Sequence, residues 1–396
     1  MELHELRMAL KGISAHKHLM GDPVMTAVTH LLDALCTNRG EAALEHYTTL
    51  YYNLQQAQCD SLGAWLEQAL FYRESPYSQA LAADGVSAGL LCAVENDLTA
   101  FSALAQLDAD TVIQAIAALL DKLPPLPRWT IRSCLTMDEL TKFYRVHGAG
   151  LFARYRAFLW ENGKLIPVPH PDCPKPEELL GYEMQRQQVI ANTQALLDGH
   201  RVNNVLLFGD SGTGKSASVK SLLALPGFDS LRLIEVQKEG LTDLTHLIRT
   251  LRSKPQKFVL FIDDLAFDQD DRVFSVLKSI LEGGLEPRPI NVAVYATSNR
   301  RHLVRQTFSE RAGEEIDTFE TIAEKTALSE RFGLRILYQN MDKKGYLALV
   351  DHLAKLEGIT MDAEQLHALA MRWDVRHGGR TPRSARQFIA SLSVEE

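Results

Sequence analysis

The chain of 396 residues contains no uninterrupted apolar run long enough to cross a bilayer, which takes about 18 or more residues. Met1 to Met20 carries acids, bases and histidines where a secretory signal needs an apolar stretch, so a cytoplasmic location and no membrane partner are expected. Paired cysteines are lacking too. Cys36, Cys59, Cys92, Cys134 and Cys173 are an odd, widely spaced set with no CxxC, which argues against a disulfide framework and a zinc knuckle. His4, His16, His18, His30 and His170 fall in no ligand spacing and read as structural. Residues 1–121 are poor in positive charge, with 5 Lys and Arg against 15 Asp and Glu. Such a surface repels a phosphate backbone and suits a protein partner better. There is no internal repeat and no low-complexity tract.

What is present is ordinary for a globular chain: 46% hydrophobic, 23% charged, 24 Gly and 15 Pro. The length suits two or three domains. From Leu10 to Leu120 apolar residues recur at helical spacing, as in Ala27, Leu31, Leu32 and Leu35. Pro124, Pro125 and Pro127 interrupt the pattern, and a second helical stretch is expected over Thr136 to Trp160. Pro167, Pro169, Pro171, Pro174 and Pro176 then keep the backbone extended. Beyond them, β-rich runs at Asn204 to Phe208, Leu231 to Val236, Phe258 to Ile262, Asn291 to Ala296 and Leu334 to Tyr338 alternate with helical segments. That alternation predicts an α/β fold with a parallel sheet covered by helices, and three further helices follow it. The expected division is a helical N-terminal domain at 1–165, a Pro-rich linker at 166–177, an α/β core at 178–340 and a small helical bundle at 341–396.

Gly209-Asp210-Ser211-Gly212-Thr213-Gly214-Lys215-Ser216 is a GxxxxGKS run placed between a strand and a helix, the context a P-loop requires. Its glycines let backbone N–H groups turn inward around a phosphate, Lys215 reaches the β- and γ-phosphates, and the Ser216 hydroxyl ligates Mg²⁺. The buried strand Phe258-Val259-Leu260-Phe261-Ile262 ends in Asp263 and Asp264, 48 residues after Lys215. Asp263 would hold the metal through water, and Asp264 would orient or deprotonate the attacking water. The plainer alternative for the pair is a solvated turn or helix cap. Asp264 is one methylene shorter than the glutamate more usual there, which implies slow hydrolysis or a water held differently.

In this order the motifs resemble the AAA+ ATPases from about Glu178 to Leu392, implying a sheet ordered 5-1-4-3-2 with a helical lid. By that resemblance Leu180-Gly181-Tyr182 lies against the adenine, and Asn299, in the Thr297-Ser298-Asn299 that follows the strand Asn291 to Ala296, is sensor 1. Arg331, in Leu328-Ser329-Glu330-Arg331-Phe332, is the candidate arginine finger. Arg383, in Gly378 to Arg386, is the candidate sensor 2, with Arg386 one turn further on and Arg300 and Arg301 unranked. More narrowly, Leu-Leu-Phe-Gly-Asp, Ile-Asp-Asp-Leu and Ala-Arg-Gln-Phe resemble a bacterial AAA+ family described as domain of unknown function 815.

The resemblance implies ATP and Mg²⁺ as cofactors, a homo-oligomer with a site shared between subunits, and remodelling or loading of a macromolecule recognised by the N-terminal domain. Two other readings stay open: a nucleotide-gated scaffold with little turnover, and a DNA-associated ATPase similar to a helicase loader. The loop after the second strand, Val236-Gln237-Lys238-Glu239-Gly240-Leu241, lacks the aromatic with which unfoldases of that superfamily grip a threaded chain. The segment with Trp129, Phe143, Tyr144, Arg145, Phe152, Arg154, Tyr155, Arg156 and Trp160 has the composition of a nucleic-acid surface. Its aromatics at helical spacing read better as core, so nucleic acid is not favoured.

Overall fold

The computed structural model describes residues 2–83, 85–175, 179–265, 276–278, 280–281, 288–299 and 330–392. The chain divides into two compact units, Met1–Arg154 and Tyr155–Glu396.

In the first unit the helical periodicity becomes α1 (Leu3–Lys11), α2 (Pro23–Cys36), α3 (Gly40–Gln56), α4 (Leu62–Tyr72), α5 (Pro76–Ala82), α6 (Ala88–Ala105), α7 (Ala109–Ala117), α8 (Met137–His147) and α9 (Leu151–Arg154). Helix starts follow local chemistry. Asp22 accepts the Val24 N–H with Pro23 at the first helical position, and Thr136 and Glu139 form a reciprocal capping box. Leu31, Leu32, Tyr47, Leu66 and Phe101 are fully buried among these helices. Trp129 donates from its indole to the Leu107 carbonyl (2.9 Å), Tyr144 donates to the Leu70 carbonyl (2.6 Å), and Phe143 stacks on Phe71 at 3.8 Å. These aromatics are core, as their spacing predicts.

The helix expected to reach Trp160 ends at Arg154. Gly148 (φ +66°) stops α8, and after α9 the run Ala-Phe-Leu-Trp-Glu forms β1 (Ala157–Glu161). Asn162 and Gly163, both left-handed at φ +49° and +72°, turn the chain into β2 (Lys164–Pro167). An Asn-Gly pair between β-prone residues is a two-residue hairpin signal, stronger than the helical reading of the residues before it. Residues 155–167 therefore belong to the sheet of the second unit, and the prolines begin at an edge strand, where a missing N–H is tolerated.

The five expected strands are all present: β3 (Val205–Gly209), β4 (Leu231–Val236), β5 (Lys257–Ile262), β6 (Val292–Ser298) and β7 (Leu334–Tyr338). The sheet runs β2-β1-β4-β5-β6-β3-β7, parallel except for the β1–β2 hairpin. Its last five strands follow the order 5-1-4-3-2 that the resemblance implies, and β1 and β2 extend it beyond β4. Every residue of β6 is buried, as expected of a parallel strand covered on both faces. Helices α10 (Glu183–Leu197), α11 (Lys215–Lys220) and α12 (Leu244–Leu251) lie between the strands in sequence. Finally α13 (Lys343–Leu356), α14 (Ala363–His377) and α15 (Pro382–Leu392) build a separate small core around Tyr346, Val350, Phe388 and Ile389.

Candidate functional site

The loop from β3 to α11 is shaped by its glycines. Gly209 has φ +129°, and a Cβ there would run into the Tyr338 carbonyl of the neighbouring strand. At Gly212 (φ +76°) a Cβ would lie 3.1 Å from the Thr381 hydroxyl and 3.2 Å from the Arg383 Cβ, and the Arg383 N–H donates to the Gly212 carbonyl at 3.3 Å. The start of α15 thus packs directly on the loop, which requires residues without side chains on that side.

Lys215 opens α11 and is buried; its ammonium donates to the Asp210 carbonyl at 2.7 Å and the Gly209 carbonyl at 3.2 Å. Burial pushes its pKa below the usual lysine value and the charge of Arg383 adds to this, while Asp210, Asp264 and Asp263 oppose it. Next to it, the Ser216 hydroxyl donates to Asp263 Oδ1 at 2.6 Å. Asn299 donates from its amide to Asp264 Oδ1 at 2.8 Å. Asp264 itself is left-handed, at φ +51°.

Lys215, Ser216, Asp263, Asp264, Asn299 and Arg383, which span 169 positions of the sequence, line one cavity of about 560 Å³ together with Ser211, Gly212, Thr213 and Gly214. Arg386 lines it as well. Tyr182 is at the wall, left-handed at φ +58°, its ring stacked on Tyr338 at 5.0 Å and its hydroxyl donating to the Gln339 carbonyl at 2.6 Å. Burial pushes that hydroxyl up to about 12. Leu179, Leu180 and Leu349 make the cavity's apolar side. Polar groups converging on one side and apolar side chains on the other suit a triphosphate joined to a flat, weakly polar base.

Four expected site residues do not line the cavity themselves. Gly181 lies under Met341, whose methyl occupies the space of a Cβ, and its carbonyl accepts from Arg186. Gly209 and Asp210 form the base of the loop: the Asp210 N–H donates to Tyr338, and its carboxylate accepts the Asn340 N–H at 2.8 Å, tying the loop to the chain that leads into α13. Arg331 is exposed just before β7 and does not line this cavity. Arg300, Arg301, Leu328 and Ser329 lie outside the described residues.

Sequence reasoning missed Thr297, Leu179 and Leu349 beside Leu180, Gln387 at the cavity and the Asp210–Asn340 link. Thr297 stands in the Thr-Ser-Asn run already singled out, but its neighbours follow only from the parallel register that sets Ile262 against Ala296.

The donor set fits a magnesium ion. A hydroxyl and a carboxylate, both hard oxygen donors, meet at the mouth of the loop, and Mg²⁺ is commonly held by one or two carboxylates together with substrate phosphates. Among the described residues no group of three or more His, Cys, Asp or Glu could hold a metal. No described helix is long and apolar enough to cross a membrane.

A family model described as "Protein of unknown function (DUF815)" matches residues 153–396. No curated protein matches the chain. Among solved structures, the RuvB Holliday junction branch migration motor of Thermotoga maritima aligns at 17% identity and a TM-score of 0.39, over 55% of this chain and 63% of that one. Two point mutants of the same motor align at 18% and 16% identity with the same score and coverage. The chain thus spans less than two thirds of those structures.

Proposed function

The chain belongs to the family described as protein of unknown function DUF815, and from that premise we propose that it is an AAA+ type ATPase that binds ATP with Mg²⁺ and hydrolyses it at a subunit interface. The observation that carries this reading is the convergence of Lys215, Ser216, Asp263, Asp264, Asn299 and Arg383 on one cavity at the end of a parallel sheet. Each has a task. The loop N–H groups and Lys215 bind the phosphates, Ser216 and Asp263 hold the metal, and Arg383 reaches the γ-phosphate from the lid. Mg²⁺, when bound, neutralises charge on the β- and γ-phosphate oxygens. Asp264, steered by Asn299, orients water for in-line attack and accepts its proton. The exposed Arg331 serves a neighbouring subunit's site, where an arginine contributes roughly 10³ to 10⁵ in rate.

The acidic helical unit is the proposed receptor for a protein partner, in keeping with its charge. Base stacking is disfavoured because Trp129, Tyr144, Phe152 and Trp160 are buried. Threading of a polypeptide is disfavoured as well: Leu241, in the loop after β4, is fully buried, and Gly240 packs against the Trp160 ring 2.9 Å from where a Cβ would stand.

The test is the ATPase rate per subunit across a protein concentration series, with Lys215→Ala as the blank. Specific activity should rise with concentration, and mixing Arg331→Ala with Asp264→Asn should restore turnover that neither variant has alone. Flat or absent turnover with retained ATP binding would instead select the nucleotide-gated scaffold.

A further inference from the structure

We propose that Thr297 is a positioning residue of this site: its hydroxyl fixes how the Asp263 carboxylate faces the metal and how the following turn presents Asp264. This role presupposes a nucleotide site at the cavity and adds a residue that neither the motifs nor the resemblance assigned.

Thr297 lies near the end of β6 and is buried. Its hydroxyl donates to Asp263 Oδ1 at 2.5 Å and accepts the Asp264 N–H at 2.9 Å, while its carbonyl accepts the Leu265 N–H at 2.7 Å. One residue therefore anchors all three residues that follow β5. Only a side chain that donates and accepts at the same atom can do this, which serine shares and valine, of the same shape, does not.

Two consequences follow for the metal and the water. Oδ1 of Asp263 receives the Thr297 hydroxyl, the Ser216 hydroxyl at 2.6 Å and the Asp264 N–H at 3.2 Å. Among the described residues Oδ2 accepts no hydrogen bond, so it is the oxygen left to face a metal's water ligands. The left-handed backbone of Asp264 (φ +51°) is uncommon for a non-glycine residue, and even an aspartate, which adopts it more readily than most, is fixed there by its surroundings. The two N–H bonds to Thr297, from Asp264 and Leu265, supply that constraint, and the turn they hold delivers the Asp264 carboxylate to Asn299. Groups that orient a metal-facing carboxylate typically change metal affinity by about 10- to 100-fold when removed.

The experiment titrates Mg²⁺ into the full-length chain with a fluorescent ATP analogue, for wild type, Thr297→Val, Thr297→Ala, Thr297→Ser, Asp263→Asn and the Asp263→Asn, Thr297→Val double variant. Val and Ala should raise the Mg²⁺ concentration for half-maximal binding by about tenfold or more, with analogue affinity in EDTA changed by less than about twofold. Serine should stay within about threefold of wild type, and adding Thr297→Val to Asp263→Asn should give no further shift. If Val does not fold, Ala carries the comparison. The role is overturned if Val and Ala titrate like wild type, if serine is as impaired as valine, or if the Asp263 and Thr297 shifts multiply. A wild-type chain that binds no analogue with or without Mg²⁺ refutes the nucleotide site itself, and Thr297's role with it. Wild-type binding with Mg²⁺-dependent but unshifted variants refutes Thr297 alone.

Discussion

Asp264→Asn separates binding from chemistry with little disturbance of the site. Asp264 Oδ1 accepts from Asn299 at 2.8 Å, and an amide oxygen can keep that bond. The bond from the residue's N–H to Thr297, 2.9 Å, is main-chain on one side and survives unchanged. Asparagine tolerates the left-handed backbone at φ +51° as well as aspartate does, so the turn is expected to persist. What disappears is the capacity to take a proton and one negative charge near the phosphates. A positioned general base contributes about 10²- to 10⁴-fold, which at about 1.36 kcal/mol per decade is roughly 3–5 kcal/mol of barrier. ATP affinity should hold or rise, because Asp264 is like-charged with the triphosphate. Single-turnover release of phosphate from saturating ATP, read beside an equilibrium binding isotherm, gives both quantities. Turnover within about threefold of wild type would refute the assignment of Asp264 as the group that takes the proton.

Asp210→Ala removes the acceptor of the Asn340 N–H, a charge-assisted bond of 2.8 Å between the loop and the chain entering α13. Its loss should cost about 1–2 kcal/mol locally, so hydrogen exchange at Asn340 should speed up by about tenfold while β3 and β6 exchange as before. Gly163→Ala puts a side chain into open space at φ +72°, so only backbone strain is felt. A destabilisation of about 1 kcal/mol, read as a lower denaturant midpoint for the sheet-containing unit, is expected.

Much of the second unit was legible because its signals are local. The strands β3 to β7 announce themselves as apolar runs, and GxxxxGKS is confined to eight residues whose backbone requirements only glycine meets. The strand β1 was misread because Phe158, Leu159 and Trp160 continue an apolar pattern already in helical phase. Only the Asn162-Gly163 turn and the pairing with β4 decide between the two periods. Gly181 was named through the family resemblance alone, and its place under Met341 depends on a residue 160 positions away.

The sequence by itself determined the chemistry available to this protein: a glycine-rich loop, a lysine, a hydroxyl, two carboxylates at a strand end and several arginines. These follow from residue identity and short spacing, which the backbone enforces within a turn or a strand. Tertiary structure decided which of those groups share a cavity. Parallel pairing sets Thr297 beside Asp263, the packing of α15 on Gly212 brings Arg383 to the loop, and Arg331 is left exposed and outside that cavity. Hydrogen bonds reach only about 3 Å, so contacts between residues 34 or 171 positions apart arise only once the sheet register and the packing of α15 are in place.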